Sequence, residues 1–333
     1  MSYKVSILVP VYGVEQYIER CARSLFEQDY ENLEYIFVDD CSPDHSIELL
    51  EKTLCDYPKR KEQVRIIRHE KNRGLGAARN TAVKNASGLF VMHCDSDDWM
   101  DTKAVSLLVE RQIATDADIV TGKAWWTNGK GIVEKPEYKN KEELMLKIIK
   151  NTCSITIWRR LIRKTLYDDF HIEVQEGVDC TEDYQVMPKL MYFAKNVAWI
   201  DQIVYYYNTA NSTSYVHRLD VAPSIKEQHL TSFDIVRDFF EDKEKIYYTA
   251  ASEKTIYEYF VYARDAARQR NRAFFEKCNA VINGKYAEYQ YVLGYQNPLK
   301  KWFQQQYWIY GLVLKTRSFV LACVKKVFGK NAT

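Results

Sequence analysis

The feature that most constrains the fold is a regular alternation of strand-like and helix-like segments over the first 120 residues. Short apolar runs rich in β-branched residues predict strands at 5–9, 33–38, 64–67, 89–94 and 118–121. Between them, apolar residues recur at helical spacing, which predicts helices at 18–25, 47–54, 76–86 and 102–114. Strands that alternate with helices are typical of right-handed βαβ units. We therefore predict an α/β fold with a mainly parallel sheet flanked by helices.

Residues with binding chemistry collect where these predicted strands end. They are Pro10 and Tyr12 after the first strand, Asp39 and Asp40 after the second, Asn72 and Gly74 after the third, and Asp95 and Asp97 after the fourth. In open parallel sheets, ligands bind beyond the carboxyl ends of the strands. The pattern therefore predicts a nucleotide site along one rim of the sheet.

The stretch Asp95-Ser96-Asp97-Asp98 concentrates three carboxylates directly after the fourth strand. Carboxylate oxygens are hard ligands that suit Mg²⁺ or Mn²⁺, and Mg²⁺ is usually held by one or two carboxylates while phosphates and water complete its shell. A solvated acidic turn is the alternative interpretation of an isolated D-x-D. The neighbouring strand ends favour a metal–diphosphate site.

The alternation weakens beyond residue 124, and the segment 151–216 is mixed in character. Within that segment, Glu182 and Asp183 precede a predicted helix at 184–192, and acidic residues favour the first turn of a helix. From residue 220 onward the apolar spacing predicts helices, including one long stretch over 247–275. The sequence thus predicts a helical region after the α/β part.

The composition, with 47% apolar and 28% charged residues, is that of a soluble globular protein. The eight cysteines are scattered without a C-x-x-C pair, so neither a zinc site nor a disulfide framework is expected. Single thiols fit a reducing cytoplasm. We expect no signal peptide, because the N-terminus runs straight into the first predicted strand. These features favour a cytoplasmic protein.

Charge is segregated at the C-terminus, where the chain after Glu288 has seven Lys or Arg residues and no acidic residue. Lys315 and Arg317 divide the most apolar stretch, so a transmembrane helix is not expected. Trp, Tyr and basic residues favour the headgroup region of an anionic leaflet. We therefore predict that residues 298–330 form one or two amphipathic helices on the inner face of a membrane. Packing on the rest of the chain or on a second copy is the alternative, and nucleic-acid binding is not expected.

Six short motifs follow one another over residues 1–215. They are Val9-Pro10-Val11-Tyr12, Val38-Asp39-Asp40-Cys41-Ser42, Asn72-Arg73-Gly74, Ala77-Ala78-Arg79-Asn80, Asp95-Ser96-Asp97-Asp98 and Glu182-Asp183. In this order they resemble glycosyltransferase family 2. The resemblance implies a GT-A nucleotide-sugar domain over 1–215, with a nucleotide-binding half at 1–120 and an acceptor-binding half at 121–215. A helical region at 216–297 and a basic amphipathic tail at 298–333 follow it.

The resemblance also implies an inverting transferase that takes a sugar from a nucleotide diphosphate donor, usually with Mn²⁺ or Mg²⁺. On the donor side it assigns Asp39 to the base, with Asp40 as a further acceptor for base or ribose hydroxyls and helix capping as the alternative. Asp97 is the expected direct metal ligand, and Asp95 binds ribose or metal. Arg79 either lies near the diphosphate or forms an internal ion pair. The remaining nucleotide-binding motif residues are Pro10, Tyr12, Asn72 and Gly74.

On the acceptor side, Glu182-Asp183 resembles the family's E-D pair, whose Asp is the general base. A carboxyl group that faces a partly dry site has a raised pKa and is a better base. A purely structural role at the start of the helix is the alternative, and both can hold together. Related enzymes often close a mobile segment over the diphosphate where His217 and Arg218 stand, so these cations are expected to clamp a phosphate. A polar surface loop is the alternative there.

Two positions depart from the family pattern, since Gly13 stands where the family has Asn and Cys41 where it has Gly. No Q-x-x-R-W follows the E-D pair, so we expect addition of a single sugar rather than polymerisation. UDP is the family's commonest carrier, and the expected acceptor is a glycan or a lipid-linked molecule in cell-surface polysaccharide or glycolipid assembly. The competing functions are a nucleotidyltransferase, for which a Gly-rich phosphate loop is missing, and a non-catalytic nucleotide-binding scaffold, which would tolerate loss of the E-D pair.

Overall fold

The computed structural model of the chain describes residues 2–129, 131–133, 135–211 and 223–285. Two compact units divide it, one ending at Val236 and the other beginning at Arg237. The first unit contains the sheet, and the second is helical. No helix within the described ranges is long and apolar enough to cross a membrane.

Within the described part of the first unit, nine strands form one sheet. They are β1 (Val5–Val11), β2 (Leu33–Asp39), β3 (Val64–Arg68), β4 (Phe90–His93), β5 (Trp99–Met100), β6 (Ile119–Trp126), β7 (Ile132–Val133), β8 (Arg160–Arg163) and β9 (Val197–Tyr207). Their order is β3-β2-β1-β4-β8-β6-β9-β5, and β7 pairs with β6 outside this path. The five strands predicted over the first part of the chain are all present, although β6 extends further, to Trp126.

Strands β1 to β4 are mutually parallel, with β1 between β2 and β4 and with β3 beyond β2. All seven residues of β1 are buried, as expected for a central strand covered by helices on both faces. Beyond β4 the sheet is mixed, because β8 runs antiparallel to both β4 and β6. The predicted α/β sheet is confirmed, and its continuously parallel part is the half formed by β1 to β4.

Eight helices up to Phe239 lie in the described ranges. They are α1 (Ile18–Phe26), α2 (Ser46–Cys55), α3 (Leu75–Asn85), α4 (Ala104–Thr115), α5 (Lys141–Ile149), α6 (Thr165–Asp169), α7 (Glu182–Phe193) and α8 (Pro223–Phe239), and a 3₁₀ turn spans Pro58–Gln63. Helix α1 buries Ile18, Cys21, Ala22 and Leu25. This spacing places one apolar stripe against the sheet.

Helix α3 approaches its neighbours unusually closely because its first turn is built from small residues. Gly76, Ala77 and Ala78 are all buried. A Cβ atom added to Gly76 would lie 2.6 Å from Val174 Cγ1, well inside van der Waals contact. The small residues therefore let a later segment of the chain pack directly against the start of α3.

The strand order opens a crevice at one rim of the sheet. The chain passes from β1 to β2 on one side and later returns to β4 on the other side of β1. Such a reversal leaves space beyond the carboxyl ends of the strands, where open α/β sheets bind ligands. Asp39 is the last residue of β2, and Asp95 follows β4 closely.

The second unit contains helices α9 (Lys245–Arg268) and α10 (Arg272–Asn283), which pack against each other. The predicted helical C-terminal region is confirmed, but the single stretch expected over 247–275 is two helices. Arg270 has a left-handed backbone with a φ of 59°, and the Asn271 side chain then caps α10 by accepting the Phe274 N–H. A left-handed residue followed by an N-cap is incompatible with a continuous helix.

Candidate active site

The base of the crevice is formed by the ends of β1 and β2. Pro10 is buried within β1, and Tyr12, just beyond the strand, is 50% exposed. Asp39 Oδ1 accepts the Ser42 N–H at 2.8 Å, while its other oxygen lies 3.9 Å from Arg68 Nε. One carboxylate oxygen of Asp39 thus orders the turn after β2, and within the described part of the chain the other makes only the long contact with Arg68.

The neighbouring carboxylate, Asp40, is fully engaged inside the protein. Its oxygens accept the backbone N–H groups of Arg73 at 2.9 Å and Gly74 at 2.8 Å. Its Oδ1 also lies 2.6 Å from His69 Nδ1, and His69 Nε2 lies 2.9 Å from Thr81 Oγ1. In this structure Asp40 therefore anchors the loop after β3, on which Asn72 is exposed.

Gly74 is required by both conformation and space. Its φ is +92°, and an added Cβ would lie 2.2 Å from Asp179 Oδ2. The same Asp179 side chain accepts the Gly76 N–H at 2.8 Å through Oδ1. Asp179 therefore holds the segment before Glu182 against the start of α3.

The two departures from the family pattern both occupy left-handed turns. Gly13 has a φ of 64° and donates its N–H to Ser42 Oγ at 2.8 Å. Asn and Gly are the residues that tolerate this conformation, so Gly13 preserves the turn. Cys41 has a φ of 58° without being glycine, and this conformation costs on the order of 1 kcal/mol. The backbone of the turn is thus retained despite the substitution.

Within the acidic cluster, Asp98 holds the turn. It is fully buried and accepts hydrogen bonds from the Tyr205 hydroxyl at 2.8 Å and the Asn208 N–H at 2.7 Å. The Tyr205 hydroxyl in turn accepts the Asp95 N–H at 3.0 Å. Strand β9 therefore fixes the backbone of the turn, which leaves the side chains of Asp95 and Asp97 for other partners.

Asp95 and Asp97 are partly exposed. Burial, and then the charge of Asp95, raise the pKa of Asp97, while the Asn211 side chain opposes the shift by donating to Asp97 Oδ2 at 2.7 Å. A cation bound between the two carboxylates would relieve their repulsion. Among the described residues no cluster of three or more acidic, His or Cys side chains is arranged to hold a metal. Two carboxylates nevertheless fit a Mg²⁺ or Mn²⁺ ion whose remaining ligands are phosphate and water.

Arg79 is buried and joins the acidic turn after β4 to the start of α7. Its Nη2 lies 2.9 Å from Asp95 Oδ1, 3.1 Å from Glu182 Oε1 and 4.0 Å from Asp183 Oδ1. With only 3% of its side chain exposed, it faces these carboxylates rather than the open crevice. Of the two roles left open by the sequence, this structure has the internal ion pair.

Glu182 and Asp183 form the first turn of α7. Burial, and then the charge of Glu182, raise the pKa of Asp183 to about 8, while Arg79 opposes the shift. Burial likewise raises the pKa of Glu182 against the attraction of Arg79. Asp183 Oδ1 is buried and has no hydrogen-bond partner within the described residues. A carboxyl group with these properties is suited to accept a proton near neutral pH.

An aromatic stack lies beside this pair. The ring of Trp158 stacks on Tyr205 at 4.5 Å and on Tyr207 at 5.7 Å between centroids. Ile157, the residue before Trp158, contributes a backbone hydrogen bond that lowers the pKa of Asp183. The stack therefore connects the acidic turn, through Tyr205, with the surroundings of Asp183.

The sequence model of glycosyl transferase family 2 matches residues 6–172, half of the chain. The chain belongs to this family. The chain is 32% identical to the uncharacterized glycosyltransferase EpsJ of Bacillus subtilis (strain 168), over 61% of this chain and 60% of EpsJ. It is 28% identical to the poly(ribitol-phosphate) beta-N-acetylglucosaminyltransferase TarS of Staphylococcus aureus (strain MW2), over 73% of this chain and 42% of TarS. The matches thus span less than two thirds of either relative.

The fold of this family member is similar to those of solved structures. The crystal structure of S. aureus TarS 1-349 in complex with UDP matches with a TM-score of 0.64 at 20% identity, over 94% of this chain and 92% of that one. The mannosyltransferase PcManGT from Pyrobaculum calidifontis, in complex with GDP-Man and Mn²⁺, matches with a TM-score of 0.53 at 15% identity, over 99% and 89%. At these identities the similarity establishes the GT-A fold.

The structure brings most of the predicted site residues to one rim, around Asp39, Asp95 and Asp183. His217 and Arg218, the expected phosphate clamp, lie outside the described residues. Sequence reasoning missed His69, Asp179 and Trp158. The spacing of these residues carried no signal, because their roles depend on contacts made across the fold.

Proposed function

We propose that this glycosyltransferase moves a single sugar, with inversion, from a UDP-sugar to an acceptor hydroxyl in cell-surface polysaccharide or glycolipid assembly. The observation that carries the proposal is the ion-paired group of Asp95, Arg79, Glu182 and Asp183, in which one arginine links a carboxyl group of raised pKa to the acidic turn after β4. The UDP complex of TarS and its name as a poly(ribitol-phosphate) glycosyltransferase support the choice of donor and acceptor class.

On the donor side, the Asp39 oxygen that makes only the 3.9 Å contact with Arg68 would accept hydrogen bonds from the base. Asp95 and Asp97 would hold Mg²⁺ or Mn²⁺ together with the diphosphate, as the Mn²⁺ complex of PcManGT supports. A bound cation there offsets the negative charge that develops on the leaving nucleoside diphosphate. Arg79 keeps Asp95 oriented toward this position.

On the acceptor side, Asp183 would take the proton from the attacking hydroxyl. The oxygen then forms a bond to the anomeric carbon while the bond to the diphosphate breaks, so a single displacement inverts the configuration. Glu182 raises the proton affinity of Asp183, and Arg79 limits that rise. These opposing effects keep the Asp183 carboxylate basic enough to accept a proton, while the group can still ionise near neutral pH.

Incubation with a panel of UDP-, dTDP- and GDP-sugars tests the proposal, with proton NMR of the released or transferred sugar. We expect one donor to be consumed and the first product to have the anomeric configuration opposite to that of the donor. Retention of configuration would contradict the inverting mechanism. Release of pyrophosphate from a nucleoside triphosphate would indicate the nucleotidyltransferase alternative instead.

Substituting Asp97→Ala is expected to abolish Mn²⁺-dependent binding of UDP while leaving the fold intact. The reason is that Asp97 is partly exposed in the acidic turn, whose backbone is held by the buried Asp98. Calorimetric titration of the variant and the parent with UDP, with and without Mn²⁺, measures the effect. Asp201→Ala is the matched control, since that carboxylate is 90% exposed on β9. Unchanged metal-dependent affinity in Asp97→Ala would remove this residue from the role.

We further propose that the basic tail, which lies outside the described residues, brings the enzyme to the inner face of a membrane that carries a lipid-linked acceptor. Its seven cations without an acid would each gain about 1 kcal/mol near an anionic leaflet. The full chain is expected to float with anionic liposomes, and a chain truncated after Asn297 is expected to stay in the dense fraction. Equal flotation of the two forms, or flotation of neither, contradicts the proposal.

A further inference from the structure

The segment immediately before the catalytic pair is held in a strained conformation. Thr181, the N-cap of α7, has a φ of 64° and a ψ of 35°. A β-branched residue rarely adopts this left-handed conformation, because it is sterically disfavoured. N-cap residues usually lie in the β region instead. Something outside α7 must therefore hold Thr181 in place.

The hydroxyl of Thr181 does not perform the usual task of a threonine at this position. An N-cap side chain ordinarily accepts a backbone N–H of the first helical turn, but Thr181 makes no such bond. Its Oγ1 lies 2.8 Å from Nδ1 of His229, a residue of α8. The hydroxyl is thus directed away from the helix that it begins and toward a different one.

Helix α8 also forms hydrogen bonds with the residues that precede Thr181. Gln228 Oε1 accepts the N–H groups of Asp179 at 3.1 Å and Cys180 at 3.3 Å. Ser232 Oγ donates to the Cys180 carbonyl at 2.8 Å. Together with His229, three residues of α8 therefore hold residues 179–181, which we call the strap.

The strap is tied to the donor side as well. Asp179 accepts the Gly76 N–H at the start of α3, and α3 carries Arg79, whose guanidinium bonds Glu182 at 3.1 Å. If Thr181 relaxed toward the β region, the first turn of α7 would rotate relative to α3. Glu182 and Asp183 would then leave the position in which they face Arg79.

We propose that Thr181 and His229 are positioning residues for the general base, and that their shared hydrogen bond holds the strained strap so that Asp183 faces the acceptor. The proposal rests on the proposed function. It adds to the residues that support sugar transfer one on α8, His229, which lies 46 positions after Asp183 in the chain. Neither residue touches the substrate in this assignment.

Kinetics of Thr181→Val and His229→Leu, singly and together, test the proposal. Thr181→Val keeps the shape and removes the hydroxyl. Because a small misplacement of a reacting group lowers the rate steeply, kcat is expected to fall about tenfold or more in each variant, with the KM for the donor nearly unchanged. The double variant is expected to lose no more than the worse single variant, since both remove the same bond. Thr181→Ser, which keeps the hydroxyl, is expected to retain most of the activity.

Thr231→Val is the matched control, because Thr231 lies on the same helix and its hydroxyl donates to the Glu227 carbonyl of that helix. Its kcat is expected to equal that of the parent. Single variants of Thr181 and His229 within twofold of the parent, or losses that multiply in the double variant, would overturn the proposal. If the parent itself transfers no sugar from any donor, the proposed function fails, and this outcome is distinct from the failure of the positioning role.

Discussion

Substituting Asp183→Asn is expected to lower the rate of sugar transfer by about 10²-fold or more, in line with the contribution of a general base. Asparagine keeps the shape of the side chain but has no useful proton affinity. Donor binding is expected to change little, because Asp95 and Asp97, rather than Asp183, face the diphosphate in the proposed arrangement. Initial rates at saturating donor, together with calorimetric binding of UDP, separate the two effects.

The pH profile of the parent enzyme provides an independent measurement of the same group. A base must be deprotonated to act, and the pKa of Asp183 is raised to about 8 by burial and by Glu182. The transfer rate should therefore rise as pH increases through about 8 and fall as pH decreases below it.

Asp168→Asn is the matched control for the Asp183→Asn substitution, since Asp168 is half-exposed and pairs with Lys164. A rate near that of the parent in Asp183→Asn would make Asp183 structural.

Substituting Arg79→Met is expected to be the most destabilising single change at the site. Methionine fills a similar volume but leaves Asp95 and Glu182 without their shared cation. Removing one member of a buried ion pair typically costs about 3–5 kcal/mol, because the remaining charge stays uncompensated in a poorly solvated position. Urea unfolding at neutral pH, followed by circular dichroism, measures the loss as a shift of the midpoint to lower denaturant.

Comparing Arg79→Met with Arg23→Met isolates the effect of burial on the stability loss. Arg23 also contacts two carboxylates, Glu19 at 3.0 Å and Asp56 at 2.9 Å, but this group is exposed on the surface of α1. Water and salt screen exposed pairs, so its midpoint should stay close to that of the parent. Equal shifts in the two variants would show that the buried pair contributes no more than the exposed one.

The parallel half of the sheet could be predicted because its strands are short, continuous apolar runs. All of β1 and all of β2 are buried, so most of their residues are apolar on both faces, and the buried Ser6 and Glu34 bond each other. Strand β8 could not be predicted in this way, because it begins with Arg160. That arginine is buried only because its guanidinium donates to the Thr121 hydroxyl and to the carbonyls of Ser154 and Thr156. Those partners are set by the tertiary fold.

The candidate site likewise has a part that could be predicted from the sequence and a part that could not. The acidic residues were found because they follow predicted strands, and chain direction alone brings strand ends to one rim. Which of their oxygens remain available could not be predicted. Asp40 is engaged by His69, which is 29 residues away, and Arg79 by Glu182, which is 103 residues away. Contacts of this separation leave no periodic trace in the sequence.

The contacts between residues 73–79 and residues 176–182 have a regular register. This register bears on the order in which the parts of the site are synthesised. Arg73 contacts Glu176, Gly76 contacts Asp179 and Arg79 contacts Glu182, each at a separation of 103 residues. At about 5–20 residues per second, a ribosome needs on the order of 5–20 s to extend the chain from one side of this seam to the other. During that interval Arg79 has Asp95 as a partner but lacks Glu182, and the edge of β4 is without β8. The proposed donor-binding carboxylates and the proposed proton acceptor therefore become neighbours only after residues 176–183 have been made, and α8, which holds the strap, follows later in the chain.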